Sequence, residues 1–122
     1  MSRAIQELSK EHDAILAALV MLDKMSAAAS NSLSYDPADM RDLLAFLREF
    51  VDKCHHSKEE QLLFPAMVAA GVPRQGGIID ALLSEHTRGA RLIDLMSAGI
   101  GNGNSQQLAA AAKEYIVRLK LH

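Results

Sequence analysis

From about Ser2 to Ala29 the chain runs without glycine or proline, and its apolar positions recur at helical spacing. Ile5, Leu8, His12, Ile15, Leu19 and Leu22 follow one another at steps of three and four, which puts them on one face of a helix. A pattern of that length leaves little room for a sheet. The seam is apolar except at His12, which sits in its middle.

The same pattern recurs three more times. Asp36-Pro37 is a strong helix start, with Asp36 as N-cap and Pro37 at the first helical position. The second helix is predicted from Pro37 to about Ala70, with an inward stripe through Leu44, Val51, His55, Glu59, Leu62 and Ala66. Leu43, Leu47, Phe50 and Cys54 widen that stripe. Pro65 interrupts the hydrogen-bond ladder and predicts a kink or break, and Gly71-Val72-Pro73 ends the element. A third helix is predicted over Ile78 to Ala98, with Ile79, Leu82 or Leu83, His86, Ala90, Ile93 and Met96 on its seam. The run Gly99 to Gly103 reads as a flexible connection. Asn104 then offers an N-cap with Gln107 three residues on, and a fourth helix begins near Ser105. Its seam is Leu108, Ala112, Tyr115 and Leu119, and the next seam position is His122.

Four helices with short links imply one all-α domain over residues 1–122, an antiparallel up-down-up-down four-helix bundle. The chain stops at His122 without a C-cap, a glycine or a polar tail, so the fourth helix is expected to be truncated. Such a helix would leave an apolar groove, which favours a homodimer.

Composition agrees and excludes several classes. The chain has 122 residues, no Trp and only five Phe and Tyr together, which suits packed helices. A formal net charge of −2 gives no electrostatic case for nucleic acid or an anionic membrane. No apolar run approaches the ~18 residues of a membrane span. The N-terminus lacks the apolar stretch of a signal peptide. The single Cys54 permits no internal disulfide and points to a reducing, cytoplasmic location. Cys54 itself reads as a small buried apolar side chain.

The chemistry lies in the histidines. There are five, and four of them (His12, His55, His86 and His122) fall on the inward seams of four different helices. In an up-down-up-down bundle their depths coincide at one level. Each imidazole in a dry core needs a polar partner. A metal satisfies several at once; a metal-free polar network is the alternative. The stretch His55-His56-Ser57-Lys58-Glu59-Glu60 adds carboxylates. His55 and Glu59 lie four apart and share a helix face, as do His56 and Glu60, and one pair is expected inside with the other toward solvent. Imidazole with carboxylate and no thiolate suits iron, manganese or zinc. More than four such ligands exceed a tetrahedral zinc site and point to two ions bridged by carboxylate.

At this point the sequence resembles the hemerythrin-like, or HHE cation-binding, domains. The matching words are Glu11-His12, then His55-His56-Ser57-Lys58-Glu59-Glu60 followed by Leu63-Phe64-Pro65, then Glu85-His86. The family pattern His-x3-Glu-Glu-x2-Leu-Phe-Pro is matched completely. The resemblance implies a non-haem centre, usually of two iron ions, with an open position for oxygen or a related small molecule. It carries His12, His55, Glu59 and His86 over as metal ligands, with Glu59 bridging. His122 matches the histidine that opens the family's second His-x3-Glu pair, whose carboxylate would lie beyond this chain's end. One ion, or zinc, is the variant that such a truncation implies. Oxygen-carrying hemerythrins also place a histidine where this chain has Ala90, which implies a more open iron here.

On this reading His55 and Glu59 face inward, with Leu62 and Ala66 extending their face. His56 and Glu60 flank them, Glu60 as an acceptor that orients an imidazole. Tyr115 is expected to pack in the core rather than approach the iron, and Glu11 and Glu85 to be solvated helix charges. The function expected is binding or sensing of O2, NO or peroxide, or a part in iron and oxidative-stress response. The alternatives are a di-iron enzyme acting on peroxide or NO, and a structural helical module poor in metal.

Overall fold

The computed structural model describes residues 3–31 and 35–121. Every regular element among them is helical: α1 (Arg3–Ser30), α2 (Pro37–Leu47), π1 (Arg48–His55), α3 (His56–Lys58), π2 (Glu59–Leu63), α4 (Phe64–Ala69), α5 (Ile78–Gly101) and α6 (Ser105–Leu121). The elements from α2 to α4 follow without a gap, so the described residues form four long helical segments. α6 lies against α1 and α5, while α2 and π1 lie against the same two helices. Each segment therefore has two neighbours, the arrangement of a helical bundle. Leu19, Leu22, Met40, Leu47, Val51, Leu92, Ile93, Met96 and Leu108 fill the space between them and are shut from solvent. Each such side chain contributes about 1.5–3 kcal/mol by leaving water.

The boundaries follow local chemistry. The Asp36 carboxylate accepts from Ala38 N–H at 2.9 Å, and Pro37 occupies the first turn, where its missing N–H costs nothing. After α4, Gly71 takes φ +103°. This lets Val72 N–H reach Met67 C=O at 2.9 Å and Gly71 N–H reach Val68 C=O at 3.0 Å, which satisfies two terminal carbonyls.

The end of α5 corrects the expected flexible connection. The helix continues through Gly99 to Gly101, and it is Gly103, at φ +64°, that closes it, with Asn104 N–H on Gly99 C=O at 2.8 Å. Gly99 serves close approach instead. A Cβ there would stand 3.0 Å from Leu108 N and 3.1 Å from Asn104 O. Asn104 caps α6 through its side chain, accepting from Gln107 N–H at 3.0 Å, while the Gln107 amide turns away to Leu95 C=O at 3.0 Å.

The second segment departs most from a regular helix. Two stretches of eight and five residues are wound as π-helix, with a short α turn between them. Pro65 lies in the first turn of α4, just after the second π stretch. The expected interruption is thus a change of helix type upstream of the proline. A π turn holds more residues than an α turn, so successive side chains diverge by a smaller angle. The phase of the inward stripe shifts accordingly. Leu62 is 52% exposed and Ala66 is exposed, against expectation, while Phe64 is buried. Ile5, near the start of α1, is also outside the core, at 42% exposure.

Candidate metal centre

Glu59 stands at the junction of two helical segments. Its Oε1 is 2.7 Å from Nε2 of His86 on α5, and its Oε2 is 3.8 Å from Nε2 of His55, four residues back on its own segment. One carboxylate thus lies between two imidazoles.

Each of those imidazoles is held from behind. His86 Nδ1 is 2.9 Å from Glu60 Oε2. His55 Nδ1 donates to Glu11 Oε1 on α1 at 3.2 Å, since a carboxylate offers only acceptors. Both rings therefore turn Nε2 toward Glu59. Glu60 has the orienting part expected of it. Glu11 corrects the reading of a solvated charge. Its side chain is only 13% exposed, and its second oxygen accepts from the Lys58 ammonium and, weakly, from the Cys54 thiol at 3.9 Å. Its position was detectable, because Leu8, Glu11, Ile15, Ala18 and Leu22 also follow helical steps of three and four. Glu85, half-exposed, pairs with Arg118 at 2.8 Å.

His56 is the second correction. Expected at the flank, it is 3% exposed and stacks on His86 with ring centroids 3.7 Å apart. Donor atoms of His56, Glu59 and His86 all lie within 4.8 Å of one another. His55 and His56 are both buried because the π winding spreads adjacent residues less than an α turn would. His12 joins His55 and Glu59 in lining a cleft. Ile5, Leu8, Ser9 and Leu63 complete its lining, and the cleft is open, with a volume of about 250 Å³. His122 lies outside the described residues.

The electrostatics favour a cation. Burial pushes the Glu11 carboxyl up, but the hydrogen bonds from Lys58 and His55 outweigh it and hold it below the ordinary carboxylate range. Burial pushes His86 down, yet Glu59 and Glu60 on its two nitrogens win and raise it above the usual imidazole value. A neutral ring has a single N–H for two carboxylates, so a proton on Nε2 supplies the positive charge they demand. A metal ion at the same junction would take that proton's place, and proton and metal would compete for it. The donor set thus fits a metal of the imidazole–carboxylate class.

Tyr115 is buried in the core, as expected, and its hydroxyl is pushed well above the ordinary range by burial and by the Asp52 charge. No described helix is long and apolar enough to cross a membrane.

A helical bundle with buried histidines gathered around glutamates defines the class: a cation-binding helical domain. Residues 3–122 match the model of the hemerythrin HHE cation-binding domain, and the chain belongs to that family. Neither the search of curated proteins nor that of solved structures returned a match.

Proposed function

We propose that this domain would hold non-haem iron, up to two ions with Glu59 as a shared carboxylate donor, and that it binds or senses O2 or a related small molecule such as NO or peroxide. The observation that carries this reading is Glu59 itself, with one oxygen at 2.7 Å from His86 Nε2 and the other facing His55 Nε2. His55, His56, His86 and Glu59 would hold the metal, with His12 lining the cleft beside His55 and Glu59. When bound, the iron supplies Lewis-acid and redox chemistry.

The chain's own residues prepare the site. Glu11 and Glu60 fix the rings by accepting hydrogen bonds from their Nδ1 N–H groups. Lys58 balances the Glu11 charge. Phe64, buried and stacked 5.9 Å from His86, keeps water from that side. The cleft beside His12 gives a small molecule its way in.

Sensing is favoured over turnover by the state of Tyr115. An enzyme acting on peroxide or NO needs an acid or base over the open position, and Tyr115 is enclosed and held protonated. We also read the four segments as alternating in direction, since the links between them are short, and the protein as cytoplasmic, from its lone Cys54.

The test is metal analysis of freshly purified protein together with its absorption spectrum. Near two irons per chain, with an oxo-to-iron charge-transfer band in air, is the expected result. A stable preparation that takes up no iron would end this reading.

A further inference from the structure

We propose that Asp52 and Tyr115 hold one internal water molecule in the bundle core, about one helical turn from the histidine pair. The site is assigned from two polar atoms that the fold buries. Tyr115 is 1% exposed. Its hydroxyl and Asp52 Oδ1 are both shut from solvent, and neither reaches a hydrogen-bond partner among the described residues. His56 Nδ1 lies 3.6 Å from Asp52 Oδ1, a charge contact too long for a hydrogen bond.

A phenylalanine would pack at position 115 without a hydroxyl to satisfy, and a buried carboxylate oxygen is costlier to leave unmet than a hydroxyl. Buried polar atoms that lack a protein partner are met by ordered water wherever two to four of them converge. Here three elements converge. Asp52 comes from π1, Tyr115 from α6, and His56 follows Asp52 by four residues. Burial raises the Tyr115 hydroxyl and the Asp52 charge adds to it, so the two groups lie within electrostatic reach of each other. On α5 Gly89 lies beside the tyrosine ring, where an added Cβ would come into ordinary contact with Tyr115 Cε1 at 3.7 Å. The missing side chain leaves the space of about one methyl group there. A water there accepts from the Tyr115 hydroxyl and donates to Asp52 Oδ1, with its second hydrogen free for another acceptor.

The inference is independent of the metal reading and is tested on metal-free protein. Tyr115→Phe, Asp52→Asn and the double variant are unfolded in urea, and the variants keep the size of the parent side chains. With the water in place, Tyr115→Phe lowers the folded-to-unfolded ratio roughly 5- to 30-fold, and the two single effects are coupled rather than independent. A Tyr115→Phe variant as stable as the parent, or effects that simply multiply, overturns the proposal. A crystal structure supplies the second readout. Ordered density within hydrogen-bond distance of both atoms is expected; a direct Tyr115–Asp52 contact with no water between them overturns it even where the effects couple.

Discussion

Glu11 on α1 and His55 on π1 are forty-four positions apart in sequence, and their side chains meet at 3.2 Å, Oε1 to Nδ1. The contact joins the first and second helical segments, and it decides which nitrogen of His55 is left for Glu59. Lys58 on the same carboxylate keeps Glu11 ionised, so the hydrogen bond is charge-assisted.

Glu11→Gln keeps the size of the side chain and removes its charge. Metal affinity should fall about 10- to 100-fold, as for other groups that orient a metal-bound histidine, while helix content stays the same. Competition with a chromophoric chelator measures it; an unchanged affinity would show that Glu11 serves packing alone.

Glu59→Ala takes away the group between His55 and His86. Iron content should drop from two per chain to one or fewer, with loss of the charge-transfer band. His56→Ala should cost as much metal as His86→Ala, because donor atoms of both lie within 4.8 Å of each other and of Glu59. If His56→Ala retains full iron, His56 is only a stacking partner.

Between α5 and α6, Glu114 accepts from Arg88 at 2.7 Å and from Arg118 at 2.6 Å. Hydrogen bonds from the two guanidinium groups lower its carboxyl from 4.5 to about 2. A group whose folded value is depressed stabilises the fold above its unfolded value and loses that contribution as pH falls through the folded one. The contribution is therefore complete above about pH 4.5 and gone below about pH 2. Glu114→Gln should lower the urea midpoint near neutrality and match the parent in the most acidic buffers. The effect is modest, since the side chain is a third exposed.

The glycines at the end of α5 separate space from flexibility. Gly99→Ala drives a Cβ to 3.0 Å from Leu108 N, which is backbone and cannot rotate away, so it should cost about 1–3 kcal/mol. Gly101 has nothing within 4 Å of an added Cβ, and Gly101→Ala should be neutral or stabilise by up to about 1 kcal/mol. Thermal melts should show a lower midpoint for Gly99→Ala and an unchanged or higher one for Gly101→Ala.

What the sequence determined by itself was whatever local geometry controls. Helical spacing located four helices, and Asp36-Pro37 and Gly71 marked ends that hydrogen bonding at those residues enforces. The His-x3-Glu spacing put His55 and Glu59 on one face, since residues four apart on a helix meet whatever surrounds them. Tertiary structure alone decided the rest. The π winding, which no spacing rule for an α-helix anticipates, turned His56 inward and Leu62 and Ala66 outward. Glu11 became an orienting group because α1 faces π1 there, although by sequence it fits a seam and a solvated face equally well. Which face of a helix is buried is fixed by its neighbours, and a charge is buried only where another segment brings it a partner.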